Sequence, residues 1–172
     1  PAAELGPFDL PITAHGEVRL GETLYKGLAV RDFNLVYRLE DNVLTVTRLD
    51  GALAEGRFAN TARVELAKSP LAYQGRLDLK GVRAKPFLQA FLPTYAGLAT
   101  GTVDLDLAAS GQGTRPETVK RNLQGKGALV IADGRLADTP VVQEFAAFVG
   151  LEELRELTFD QARGSFTITD GR

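Results

Sequence analysis

The chain has 172 residues, enough for one domain with a real core, and 44% hydrophobic against 24% charged residues marks it as globular rather than disordered. A net charge of -2 supplies no strong basic field for nucleic acid or an anionic membrane surface. There is no cysteine, which excludes disulfides and thiolate metal sites, and no run of about 18 apolar residues that would span a membrane. The first residue is Pro1 and methionine is absent. A fragment or processed form of a longer protein is therefore expected, organised as one β-rich domain over residues 1–172.

In chain order, strands are expected over Ile12–Leu20, Leu24–Val30, Asp32–Glu40, Val43–Leu49, Arg57–Ala67, Leu71–Lys80, Gly101–Ser110, Gly127–Ala132 and Gly164–Thr169. The reason is a period of two. Phe33, Leu35 and Tyr37 alternate with polar neighbours, as do Phe58, Val64 and Leu66. The same holds for Tyr73, Leu77 and Leu79, and for Val103, Leu105 and Leu107. Each strand thus has one apolar and one wet face, the habit of antiparallel sheet. Turn signals fall at Asp41-Asn42, Asp50-Gly51, Ser69-Pro70, Asp133-Gly134 and Asp170-Gly171. "DGALA" at 50–54, "DGRLA" at 133–137 and "DGR" at 170–172 suggest one turn type reused as the sheet grows.

Helices are predicted at Pro86–Leu92, at Arg115–Asn122 with Thr114 and Glu117 as a capping box, and at Pro140–Val149 with Thr139 as N-cap. A fourth helical turn is expected over Glu152–Leu157. The third helix carries an apolar stripe of Val141, Phe145, Phe148 and Val149. It reads either as a plug for the sheet or as a surface against an apolar ligand or a membrane. The predicted class is therefore mainly β, a twisted antiparallel sheet forming a partly open groove, with three or four short helices.

Catalytic constellations are scarce. The single histidine, His15, has no partner set for a triad or metal cluster and reads as an ordinary strand residue. Asp104 and Asp106 share one strand face, where calcium binding or acid–base work competes with a simple solvated surface, and the surface is favoured. "SGQGTRPET" sets two glycines before a helix but matches neither the P-loop nor the dinucleotide fingerprint. No metal, cofactor or catalytic residue is assigned.

The stretch "GQGTRPETVKRNLQGKGALVIADGRLADTPVVQEFAAFVGL" resembles the C-terminal region of AsmA-like proteins of Gram-negative bacteria. Its carriers are Gly111, Gly113, Leu123, Gly125, Gly127, Asp133 and Gly134. "LDGALAEGRFANTARVEL" and "YQGRLDLKGVRAKPFLQAF" extend the likeness, although Glu55-Gly56 stands where the family often has two glycines. The resemblance covers roughly Leu24 to Arg172. It implies a periplasmic module, anchored in the inner membrane by a segment outside this chain. It also implies a long β-sheet groove and roles in outer-membrane assembly and phospholipid movement, with no catalytic residues to carry over. The expected partner is a phospholipid or other acyl-chain lipid, with envelope proteins as further partners and no nucleic acid. The expected groove lining is Phe33, Leu35, Tyr37, Phe58, Val64, Leu66, Tyr73, Leu77, Leu79, Val103, Leu105 and Leu107, with Phe145 and Phe148 from the third helix. A closed scaffold with a dry core is the competing reading, and cavity shape separates the two.

Overall fold

In the computed structural model, residues 3–91, 93, 97, 99–136 and 157–171 are described. Eight strands follow one another in space as they do in sequence, each antiparallel to the last. They are β1 (Ala14–Tyr25), β2 (Leu28–Glu40), β3 (Val43–Leu53), β4 (Gly56–Glu65), β5 (Ala72–Arg83), β6 (Ala99–Gln112), β7 (Gln124–Leu136) and β8 (Leu157–Ile168). The sheet is open, with β1 and β8 at opposite edges. Two helices occur among the described residues, α1 (Ala84–Phe91) and α2 (Pro116–Asn122).

Among the described residues there are eight strands against the nine expected, and most are longer. Two of the Asp-Gly signals are not turns. Asp50 and Gly51 lie inside β3, paired with Asn34 and Phe58. Opposite them β2 bulges at Asp32, whose φ of 50° takes up the extra residue. Asp133 and Gly134 likewise lie inside β7, at an irregularity facing Gly101 of β6. The real β3–β4 turn is Ala54-Glu55, with both residues at positive φ. The β1–β2 turn is Lys26-Gly27, also both positive. These are the left-handed hairpin turns that match strand twist. An Asp-Gly pair supplies the same backbone freedom to a bulge as to a turn, so spacing alone does not tell them apart.

The helices also differ in detail. α1 begins two residues before its expected start, with Pro86 in the first turn, where no backbone donor is lost. Its buried residues Ala84 and Ala90, with half-buried Phe87 between them, recur at three-residue steps and face the sheet. The Thr114–Glu117 capping box is not formed: Arg115 is the N-cap and makes no side-chain capping bond. The predicted helix at Pro140–Val149 lies outside the described residues. So does the turn over Glu152–Leu157, except Leu157, which opens β8.

The best-buried cluster sits at one end of the sheet, beneath α1. Leu28, Val30, Leu53, Leu79, Val82 and Ala90 form it, and Phe33, Phe58, Leu77, Phe87 and Leu105 pack around it. The close approach of β4 and β5 here needs a glycine. A Cβ on Gly56 would lie 2.5 Å from Lys80 O and from the backbone of Gly81 and Val82. Arg83 N–H then donates to Ala54 O at 2.8 Å and ties the β3–β4 turn to the end of β5.

Candidate functional site

Residues directly opposite one another on antiparallel strands share a face. Following the register across the sheet therefore sorts the side chains. Val18, Leu35, Leu49 and Asn60 lead to Leu77, Leu107 and Gly127. A second row runs Gly51, Phe58, Leu79, Leu105, Leu129 and Gly164. A third runs Gly16, Tyr37, Val46, Ala62, Gly75, Ala109 and Gly125 to Ile168. Along these three rows the face is apolar from edge to edge apart from Asn60. Of the expected lining, Leu35, Tyr37, Phe58, Val64, Tyr73, Leu77, Leu79, Val103, Leu105 and Leu107 fall on this face by register. Phe33 joins them opposite Leu20. Leu66 lies just past β4, where its N–H donates to Asn42 O at 2.8 Å. Phe145 and Phe148 lie outside the described residues.

The apolar face carries a feature that alternation does not reveal. Five aromatic rings lie over the glycines paired with them: Tyr37 on Gly16, Phe58 on Gly51, Tyr73 on Gly111, Phe159 on Gly134 and Phe166 on Gly127. In each case ring atoms occupy the space of a Cβ, at 2.2–2.9 Å from where it would be built. A glycine leaves backbone exposed; the partner ring covers it. Large rings thus lie down on the sheet and keep its apolar surface low. The signal was present in sequence as glycines interspersed in apolar strands, but the pairing depends on register.

Most of the apolar face is only half-buried. Leu79 and Val82, at 4% and 1% exposure, are its sealed end under α1. At the edges Val18, Leu20 and Phe166 are each more than a third exposed. Beside the sealed end an aromatic group gathers, with Tyr25 stacked on Phe91 at 5.6 Å between centroids and Phe91 on Phe87 at 4.8 Å.

At the opposite end the N-terminal segment ties the sheet together. Phe8 N–H donates to Leu66 O at 2.8 Å, and Leu10 N–H to Asn42 Oδ1 at 2.6 Å. Glu4 serves the start of α2: its Oε2 accepts from Thr114 N–H at 2.6 Å, Thr114 Oγ1 at 2.9 Å and Arg115 N–H at 3.4 Å. The carboxylate caps the helix from far away in sequence, in place of the expected capping box. The Thr118 hydroxyl, followed by the Thr114 backbone N–H, holds the Glu4 carboxyl at about 2, below its ordinary 4.5. Geometry weights these donors the other way, since Oε1 is buried without a hydrogen bond and the well-formed bonds all reach Oε2. Nearby, the Tyr73 hydroxyl is also buried without a hydrogen-bond partner. Burial first, and the charge of Glu4 second, push its pKa up.

The other face is polar and laced with ion pairs. Asp106 pairs with Arg76, which also reaches Asp78 at 3.5 Å. Asp104 accepts from Gly81 N–H at 2.7 Å and lies 3.4 Å from Lys80 Nζ. Both aspartates are therefore engaged with cations. His15 is exposed on this face, opposite Arg38. No cluster of three or more His, Cys, Asp or Glu side chains able to hold a metal occurs among the described residues. A concavity of about 870 Å³ also lies on the polar face, between β3 and β8. The sheet is open, as expected, and this hollow lies on its wet side.

An open antiparallel meander with one apolar face fits the resemblance read in the sequence. Residues 17–172 match the model of the AsmA family. The chain belongs to the AsmA family. No curated protein and no solved structure gives a match. For this AsmA-family chain, no helix among the described residues is long and apolar enough to cross a membrane.

Proposed function

We propose that this AsmA-family chain is a non-enzymatic module of the cell envelope that holds acyl chains of a phospholipid against the apolar face of its sheet. In this reading it works on the periplasmic side, joined to an inner-membrane anchor elsewhere in the full protein. The observation that carries the reading is the continuity of the apolar face across all eight strands, with most of its side chains left half-buried. Apolar surface of that extent favours contact with other apolar matter, at about 0.8 kcal/mol for each methylene buried. An acyl chain asks for no polar ligand set, so a site without a motif is consistent with it. The rings laid over glycines favour a long, low contact surface over a deep pocket.

The test is lipid analysis. Mass spectrometry of the purified chain should find co-purifying phospholipid, and a fluorescent fatty acid should bind and be displaced by it. Leu107→Glu, at the half-buried centre of the apolar face, should abolish that binding while the circular dichroism spectrum is kept. Absence of co-purifying lipid together with no fatty-acid binding would defeat the reading. The competing reading is a closed scaffold that assists outer-membrane protein assembly. It is favoured if lipid is absent while an outer-membrane assembly defect still follows deletion of the chain.

A further inference from the structure

On the polar face the register sets two neighbouring rows side by side. Thr61, Arg76, Ala108 and Lys126 lie in one row. Arg63, Gln74 and Ser110 lie in the next. All seven line the 870 Å³ concavity. Its lining contains three cations and no Asp or Glu, in a chain whose net charge is -2. The carboxylates begin one row further on, with Asp78 opposite Asp106. Arg76 stands at that border and is taken up by both.

Arg63 and Lys126 are different. Both are exposed, and neither makes an ion pair or a side-chain hydrogen bond among the described residues. Glu65, the nearest acid to Arg63 along β4, is bridged by Lys68 at 2.6 Å and feels Arg63 only as a weaker charge beyond ion-pair distance. Ala108, between Arg76 and Lys126, is short and leaves the floor open. Arg63 on β4 and Lys126 on β7 stand three strand spacings and one row apart, about 16 Å along a flat sheet. Two side chains of this length, with a phosphate between them, can span that distance. Hydroxyl and amide groups lie between them.

We propose that this concavity binds a phosphate-bearing polyol, its phosphate held by Arg63 and Lys126 and its hydroxyls met by Gln74 and Ser110. Arginine contributes a planar fork that matches two phosphate oxygens, and lysine a mobile point charge. The alternating donors and acceptors on the floor suit a ligand that carries several hydroxyls rather than a bare anion. The ligand source is a free phosphorylated polyol or the glycerophosphate headgroup of a lipid. The site lies on the face opposite the acyl-binding surface proposed above and stands or falls independently of it.

The experiment is a titration of the isotopically labelled chain with glycerol 3-phosphate, followed by backbone amide shifts. Saturating shifts should centre on Arg63, Ser110 and Lys126. Arg63→Gln and Lys126→Gln should each weaken binding about tenfold, the loss expected for one charge-assisted hydrogen bond. Arg63→Lys and Lys126→Arg should retain most of it. Arg19→Gln, a polar-face change outside the hollow, should leave it unaltered, and spectral dispersion shows that each variant is folded. Binding of glycerol 3-phosphate without binding to phosphatidylglycerol vesicles assigns the site to soluble ligands. Vesicle binding that Arg63→Gln removes assigns it to a headgroup. Shifts that survive both glutamine variants, or no shifts at millimolar ligand, overturn the proposal.

Discussion

Leu79 and Leu24 show how far side-chain type alone leaves a residue's role open. Both are leucines in strands, yet Leu79 is 4% exposed beneath α1 and Leu24 is 72% exposed near a hairpin tip. Leu79→Ala is expected to cost about 2–5 kcal/mol in denaturant unfolding, and Leu24→Ala within about 0.5 kcal/mol. Similar costs for the two would mean that the sealed end is not the core. Gly56 is set by backbone: a methyl there meets carbonyl and amide atoms that cannot rotate away. Gly56→Ala should lower stability by about 1–3 kcal/mol, seen as an earlier urea midpoint. Tyr73 works in the opposite sense. Its hydroxyl is buried without a partner while its ring covers Gly111. Tyr73→Phe keeps the ring and removes the orphaned oxygen, so the thermal midpoint should hold or rise. A clear fall would reveal a partner for the hydroxyl.

At the scale of elements, the link between the N-terminal segment and α2 has a built-in pH dependence. The Glu4 carboxyl sits at about 2 in the fold against an ordinary 4.5, because the fold supplies donors to its ionised form. Its contribution is complete above pH 4.5 and is lost as pH falls from there toward 2. Amide hydrogen exchange at Thr114 and Arg115 should therefore speed up through that window. Glu4→Gln should show the faster exchange already at pH 7 and little further change on acidification. Identical protection in the two proteins at pH 7 would dismiss the cap. Thr114 and Glu117 have the spacing of a capping box, and α2 shows why spacing was not enough. A carboxylate 110 residues away had better access to the same donors. The Asp-Gly pairs carry the same lesson, since what separates bulge from turn is the partner strand, not the dipeptide.

For the whole molecule, the question is what lies on each side of one sheet. The apolar side is sealed at one end by α1 and at the other by residues around Leu71, which is 7% exposed. Between the ends it is half-buried. The polar side is divided between a carboxylate-rich region and a cationic hollow. The two surfaces make separable expectations: Leu107→Glu should remove fatty-acid binding and leave glycerol 3-phosphate titration intact, while Arg63→Gln should do the reverse. Loss of both by either variant would show that the two faces act as one site, or that the variant does not fold.

Period-two alternation was sufficient to determine that the protein is mainly antiparallel β and which side chains share the apolar face, while the glycine-marked stretch from Gly111 to Leu151 carried the resemblance to the AsmA family. These are local properties: a strand's two faces follow from backbone pleat, and no partner is needed to read them. Register, bulges, the rings over glycines and the remote cap on α2 were decided only by tertiary structure. Each depends on which residue of another strand or segment comes opposite, and that is set by the assembled sheet.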